Sequence, residues 1–129
     1  MHIKPKLLYH GSSQHLERLQ PTQAVGDGLK DNAFGIYAIE NKLIAQLFSI
    51  QYIGLAKDAR FAIKLENDQV FVELDRCTVD WERVGYVYTL PSNDFVKIDD
   101  LQWLSTKNVV PLKIEQINPS DFKKYIRQL

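Results

Sequence analysis

Residues 8–13 read Leu-Tyr-His-Gly-Ser-Ser, a stretch that joins apolar residues to a short polar segment containing glycine. The apolar run Leu7–Tyr9 is typical of a short strand, and the residues His10-Gly11-Ser12-Ser13 are typical of a turn that follows it. This turn offers an imidazole, a hydroxyl and a glycine backbone that no Cβ shields from a flat ligand. Taken alone, the pattern is more typical of an ordinary His-Gly turn at a strand end.

Two later segments carry residue types that suit a ligand site. Gly35-Ile36-Tyr37-Ala38, continuing to Ile39, predicts a strand whose tyrosine can stack on an aromatic ligand while its hydroxyl stays in water. Gln102 to Ser105 and Val109 to Ile117 predict two further strands, and Trp103 is typical of a buried strand position. Taken alone, each segment is more typical of a structural role in the core than of a ligand site.

The rest of the pattern predicts helices and a hairpin. Asn41 is typical of an N-cap before a buried helix from about Lys42 to Tyr52. Alternating apolar residues on either side of Asn67-Asp68 predict a β-hairpin over residues 60–74. Asn118 and Pro119 predict the start of a C-terminal helix that runs to Leu129 with apolar residues at helical spacing.

These elements predict an α+β domain without the regular strand-helix alternation of a Rossmann fold. A further strand is expected from Tyr86 to Leu90. Gln20 to Phe34 contains glycine, proline and short polar residues, which predicts a mobile surface loop between two candidate site segments.

The bulk composition narrows the class of protein. The 129 residues fit one domain over residues 1–129, with 45% apolar residues. Basic and acidic residues number 16 each, so the net charge is zero and a broad nucleic-acid footprint is not expected. Cys77 is the single cysteine, which excludes an intramolecular disulfide and a thiolate metal cage. His2, His15 and the acidic residues lack metal-ligand spacing, so no metal is expected.

No apolar run approaches the roughly 18 residues that a membrane-spanning helix needs, and the start of the chain lacks an apolar signal core. A cytoplasmic protein with no membrane partner is therefore expected.

The order of the three segments resembles the ADP-ribosyltransferases of the diphtheria-toxin and poly(ADP-ribose) polymerase type. That family is marked by a histidine, a tyrosine and a glutamate on three separate strands, with a valine-proline strand after the glutamate. Here Tyr9-His10-Gly11-Ser12 is followed by Gly35-Ile36-Tyr37-Ala38 and an apolar helix, then by Gln102-Trp103 and Val110-Pro111. The resemblance covers scattered segments from residue 7 to about 117. It implies an α+β fold of two packed antiparallel or mixed sheets with a few flanking helices.

The resemblance also implies NAD as substrate and a role for each matching position. His10 would hydrogen-bond a ribose hydroxyl, and Gly11 would hold the nicotinamide carboxamide through its backbone with help from Ser12 or Ser13. Tyr37 would stack on the nicotinamide ring, and position 102 would face the nicotinamide ribose. Phe48, on the apolar helix, completes the implied NAD-binding set, and His10, Tyr37 and Gln102 form the implied catalytic set.

The sequence departs from the family at Gln102, where active members present a glutamate. Cleavage of the glycosidic bond builds positive charge on the ribose, and a carboxylate stabilises that charge where a neutral amide does not. Three explanations stay open. Asp99, Asp100 or Glu73 supplies the carboxylate; the enzyme is slow or uses an acceptor that needs no base; or the domain binds a nucleotide without chemistry.

Three functions therefore follow as hypotheses. The first is an enzyme that transfers ADP-ribose to a protein or nucleic acid, or hydrolyses NAD, as a small toxin or phage-encoded modifier does. The second is a module that binds NAD, ADP-ribose or another nucleotide without cleaving it. The third is a structural or protein-interaction domain in which the motifs coincide by chance. The sequence does not indicate the acceptor or the oligomeric state.

Overall fold

A computed structural model of the chain describes residues 4–15, 22–23 and 34–129. This part is rich in antiparallel sheet and contains one α-helix and one 3-10 helix, so it belongs to the mixed α+β class. The strands are β1 Leu7–Ser12, β2 Thr22–Gln23, β3 Phe34–Ile39, β4 Tyr52–Gly54, β5 Arg60–Glu66, β6 Gln69–Asp75, β7 Cys77–Val79, β8 Gly85–Pro91, β9 Val96–Lys97, β10 Gln102–Ser105, β11 Lys113–Ile117 and β12 Ile126–Gln128; the helices are α1 Lys42–Phe48 and the 3-10 helix Pro119–Tyr125.

The largest sheet has the strand order β11-β8-β1-β3-β10-β9, with β2 paired to β3. Two smaller sheets have the orders β12-β6-β5 and β4-β7. The three strands that carry His10, Tyr37 and Gln102 are thus consecutive in the large sheet as β1, β3 and β10. Strand β1 continues through His10 to Ser12, where the sequence predicted a turn.

The described residues divide into two compact units. The first comprises residues 4–10, 22–23, 34–42 and 88–114, and the second comprises residues 11–15, 43–87 and 115–129. The prediction of one domain over residues 1–129 stays a prediction. The core of the first unit includes Leu8, Ile36, Ala38, Tyr88, Leu90, Phe95 and Trp103; that of the second includes Ala45, Leu47, Val72, Leu74, Val79 and Val87.

The predicted hairpin is confirmed. Strands β5 and β6 pair antiparallel, with Glu66 opposite Gln69 at the closed end. Asn67 and Asp68 have φ angles of 52° and 63°, the left-handed backbone that a two-residue type I′ turn requires. Asparagine and aspartate tolerate this conformation better than other non-glycine residues, so local chemistry sets this register.

The helix after Asn41 is shorter than predicted. It begins at Lys42 as expected but ends at Phe48, and Tyr52 starts strand β4 instead of ending the helix. The Tyr52 hydroxyl donates a 2.9 Å hydrogen bond to the Leu47 carbonyl, one of the carbonyls that a helix end leaves without an intrahelical partner. Pairing of Tyr52 with Val79 in β7 then favours the extended backbone.

The prediction of a C-terminal α-helix to Leu129 is wrong beyond its start. The Asn118 side chain accepts from the Ser120 N–H at 3.2 Å and Pro119 takes the first position, as predicted, but the helix is of the 3-10 type and ends at Tyr125. Ile126–Gln128 form β12, which pairs parallel with β6. The ladder to β6 satisfies backbone groups that a continued helix would bond internally, and it overrides the helical spacing.

Two other boundaries differ from prediction. The strand expected from Val109 begins at Lys113, because Pro111 has no N–H to donate to a ladder. The predicted loop Gln20–Phe34 lies outside the described residues, apart from the strand residues Thr22, Gln23 and Phe34. In the described ranges, no helix is long and apolar enough to cross a membrane.

Candidate functional site

Tyr37 and Gln102 lie on one face of the large sheet. In the antiparallel pair β3–β10, Leu104 is opposite Tyr37 and Gln102 is opposite Ile39. Side chains directly opposite each other share a face, and residues two apart on a strand share it too. Tyr37 and Gln102 are therefore diagonal neighbours with backbones roughly 7–8 Å apart, within reach of long side chains. Both are half-buried, so a ligand can contact them.

Tyr9 adds a second aromatic ring to this face. It is opposite Ile39 in the pair β1–β3, and it therefore points to the same side as Tyr37. The Lys42 ammonium lies 5.9 Å from the centre of the Tyr9 ring. From the sequence, Tyr9 was predicted only as part of the histidine motif, and Lys42 was predicted only as the start of a helix. The alternation of side chains along a strand could have identified Tyr9. Leu7 and Tyr9 are two residues apart and share a side of the strand, so Tyr9 and His10 lie on different sides.

His10 is joined to Tyr37 through the backbone. The His10 Nδ1 atom lies 2.7 Å from the Tyr37 carbonyl oxygen. A carbonyl only accepts, so Nδ1 carries the proton and donates, and in the neutral imidazole Nε2 is then an acceptor. Burial lowers the pKa of His10 below its ordinary value of 6.5, and the hydrogen bond to Tyr37 opposes this only in part. His10 is accordingly a neutral ring with a fixed tautomer at pH 7.

The side chain of His10 leaves its strand on the side opposite to Tyr9, because neighbouring residues of a strand alternate. Its ring centre is 6.0 Å from that of Tyr88, which is fully buried. The structure thus brings His10 to the backbone of Tyr37 and places Gln102 on the face of the sheet that carries the Tyr37 side chain. It does not give all three side chains one face.

The loop before Gln102 forms a shallow depression. Asp99 Oδ1 accepts hydrogen bonds from the backbone N–H groups of Leu101 at 2.8 Å and Gln102 at 2.7 Å. Asp99, Asp100, Leu101 and Gln102 line an open depression of about 320 Å³. The Asp99 carboxylate therefore holds the turn that starts β10, whereas Asp100 is exposed at the same depression.

Glu73 lies elsewhere and already has a partner. It is in β6, in the second unit, and forms an ion pair with Lys64 of β5. This contact holds the pKa of Lys64 above its usual range. Of the three carboxylates that the sequence left open, Asp99 and Asp100 are beside Gln102 and Glu73 is engaged in its own sheet.

The remaining predicted site residues belong to the second unit. A Cβ on Gly11 would collide with the Ala45 carbonyl, so close packing of helix α1 by itself requires glycine there. The Ser12 hydroxyl accepts from the Gln14 N–H at 3.1 Å, and the Ser13 carbonyl accepts from the Arg83 guanidinium. Phe48 is 47% exposed. The roles predicted for Gly11, Ser12, Ser13 and Phe48 in NAD binding stay predictions.

The described ranges contain no group of three or more His, Cys, Asp or Glu side chains that could hold a metal ion. Cys77 is buried as a free thiol.

Compared with known proteins, the chain matches no family model, no curated protein and no solved structure.

Proposed function

We propose that this chain is an NAD-binding domain of the ADP-ribosyltransferase type, in which β1, β3 and β10 present the residues that contact NAD. The observation that carries the proposal is the 2.7 Å hydrogen bond from His10 Nδ1 to the Tyr37 carbonyl. It joins two motifs that are 27 residues apart in the sequence. It also leaves Nε2 as an acceptor on the side of β1 opposite to Tyr9, so His10 acts on the face of Tyr37 and Gln102 through the Tyr37 backbone.

The residues present fit NAD in three respects. Tyr37 is half-buried and can stack on the nicotinamide ring. The Gln102 amide can donate to or accept from a ribose hydroxyl from the same face. The Lys42 ammonium lies beside Tyr9, which shares that face, and a cation there favours the phosphates of the dinucleotide.

The proposed reaction breaks the bond between the nicotinamide nitrogen and the ribose C1 atom. The electron pair of that bond leaves with nicotinamide, which becomes neutral, and an acceptor oxygen or nitrogen bonds to C1 and releases a proton. A macromolecular acceptor makes the chain a transferase, and water makes it an NAD glycohydrolase. Positive charge grows on the ribose as the bond breaks, so a nearby carboxylate accelerates the step.

Asp100 is the carboxylate that best suits this task in the proposed site. It lines the same depression as Gln102 and is exposed, so it is free to turn toward a bound ribose. Asp99 accepts two backbone hydrogen bonds that hold the turn, and Glu73 is paired with Lys64. Asp100 would therefore supply the charge that Gln102 lacks.

A second candidate function is NAD or ADP-ribose binding without cleavage. The neutral Gln102 on the face of Tyr37 favours it, because an amide holds a ribose hydroxyl but stabilises no developing charge. A structural or protein-interaction role, with the motifs coincidental, is favoured by the alternation that sends His10 and Tyr37 to different sides. A buried imidazole needs an acceptor for its N–H in any role, so the hydrogen bond to the Tyr37 carbonyl is compatible with this third function as well.

One assay separates the three functions. The protein is incubated with NAD, free nicotinamide is quantified by chromatography, and NAD binding is measured by calorimetry on the same preparation. Binding with nicotinamide release that Asp100→Asn lowers supports the enzyme. Binding without release supports the second candidate. Absence of both at millimolar NAD would overturn the proposal. Asp94→Asn, an exposed aspartate outside this depression, is the matched control.

A further inference from the structure

Strand β5 forms an open edge of its sheet. The three-stranded sheet has the order β12-β6-β5, so in the described part of the chain β5 has a strand on one side only. Six of its seven residues are exposed and Ile63 is half-buried. The strand contains neither proline nor glycine, and its β6 partner pairs with it residue by residue without a bulge. Long regular edges of this kind are ready to pair with another strand.

The hairpin geometry decides which backbone groups of β5 point outward. In a two-residue hairpin, Glu66 and Gln69 form the hydrogen-bonded pair that closes the turn. Hydrogen-bonded positions recur every second residue, so Lys64 and Ala62 also bond to β6. The N–H and C=O groups of Phe61, Ile63 and Leu65 therefore point away from β6.

The same three residues carry an apolar row. Phe61, Ile63 and Leu65 are opposite the buried residues Leu74, Val72 and Val70 of β6, so they share the apolar face of the sheet. Phe61 is nevertheless 43% exposed and Leu65 is 50% exposed. The apolar face thus continues to the open edge with much of its area still in contact with water.

We propose that β5 pairs with β5 of a second copy of this chain, antiparallel and with the two-fold axis at Ile63. In this register Phe61 is opposite Leu65 of the copy and Ile63 is opposite itself. All three are positions whose backbone groups point outward, so each pair can exchange both of its hydrogen bonds. The apolar rows of the two copies then become one continuous row across the axis.

Charge selects this register over its neighbours. On the other face of the sheet, a two-fold axis at Ile63 places Arg60 of each copy opposite Glu66 of the other copy, so two such pairs form. The Arg60 side chain is 79% exposed, although its Nε atom lies 3.3 Å from the Asp75 carboxylate of β6, and Glu66 forms no ion pair among the described residues. If the two-fold axis lay at Ala62, Arg60 would be opposite Lys64 of the copy. If it lay at Lys64, the two copies of that lysine would be opposite each other. Like charges directly opposite destabilise a strand pair.

The mass in solution tests the pairing. Sedimentation equilibrium should show a mass that rises with concentration to twice that of one chain. In Glu66→Arg, the new arginine lies opposite Arg60 of the copy at each end of the strand pair. The dissociation constant of the dimer should therefore rise about 10-fold. The exchanged pair Arg60→Glu with Glu66→Arg should restore part of that loss, because the new carboxylate at position 60 also lies opposite Asp75 of its own chain. Glu40→Arg, the same change at an exposed site on the first unit, should leave the mass unaltered.

Hydrogen exchange on the unaltered protein provides a second readout. The amides of Phe61, Ile63 and Leu65 should gain protection as concentration rises, whereas those of Ala62 and Lys64 should be protected throughout. A monomer at concentrations up to ~1 mM would overturn the proposal. A dimer in which the three edge amides stay unprotected, or in which Glu66→Arg changes nothing, would overturn it as well. Neither readout depends on NAD.

Discussion

His10 Nδ1 donates a hydrogen bond of 2.7 Å to the backbone carbonyl of Tyr37, and this contact connects the first two motifs of the chain. It assigns the proton to Nδ1, leaves Nε2 as an acceptor, and ties strand β1 to strand β3 through a side chain. Because burial lowers the pKa of His10, the ring performs these roles in its neutral form at pH 7.

The hydrogen bond predicts different stabilities for two variants of His10. His10→Ala leaves the Tyr37 carbonyl without its imidazole donor and removes buried ring volume, so unfolding free energy should fall by about 1–3 kcal/mol. His10→Asn offers an amide N–H to the same carbonyl and should recover part of that loss. Chemical denaturation of the two variants measures the difference. Equal stabilities would show that the hydrogen bond contributes little.

The lowered pKa of His10 predicts how stability changes with pH. In the unfolded chain the imidazole takes up a proton as the pH falls through about 6.5. The folded chain resists protonation until a lower pH, so the unfolded state binds more protons in that window. The contribution of His10 to stability should thus be complete above pH 6.5 and decline below it, down to the folded pKa.

Denaturation curves between pH 7.5 and about 5 compare the unaltered chain with His10→Asn. The variant should lack this part of the acid destabilisation. If both chains lose stability in parallel, His10 is not the group responsible. Direct titration of the imidazole by NMR supplies the folded pKa for the comparison.

The neutral side chain at position 102 predicts a gain of activity on its replacement. Gln102→Glu places a carboxylate on the face of Tyr37 and should raise the rate of nicotinamide release by roughly 10²-fold or more. Asp100→Asn should lower the release of the unaltered chain, and its effect should shrink when it is combined with Gln102→Glu. Rates are measured under saturating NAD. If Gln102→Glu binds NAD normally yet gains no rate, position 102 does not face the ribose.

The packing of helix α1 predicts that Gly11 cannot be enlarged without cost. A methyl group there would meet the Ala45 carbonyl and the Ser49 backbone, neither of which is a flexible side chain. Gly11→Ala should lower unfolding free energy by about 1–3 kcal/mol through forced displacement of the helix. Thermal denaturation gives the size of the effect. A variant as stable as the parent would indicate that α1 shifts freely.

Local chemistry in the sequence explains which elements could be predicted. The hairpin β5–β6 follows from alternation and from Asn67-Asp68, whose side chains suit positive φ. The C-terminal residues Ile126–Gln128 could not be predicted as a strand, because they have helical spacing and become extended only through pairing with β6. Long-range pairing of this kind leaves no local pattern.

The same difference between local and long-range information applies to the candidate site. Residues 10, 37 and 102 could be selected from local motifs and their order. Their arrangement depends on the neighbours of β3 in the sheet, which no single segment specifies. The hydrogen bond of His10, the sharing of one face by Tyr37 and Gln102, and the turn held by Asp99 all emerge from that strand order.

Titration of the ¹⁵N-labelled protein with NAD, followed by NMR, tests the central claim most directly. We expect saturable shifts of His10 Nε2 and of the amides of Tyr37 and Gln102, all with one dissociation constant, and loss of these shifts in Tyr37→Ala. Contradiction would come from no saturable shift up to ~5 mM NAD, beyond the weakest affinity expected of a specific site. Shifts confined to residues outside β1, β3 and β10 would contradict it equally.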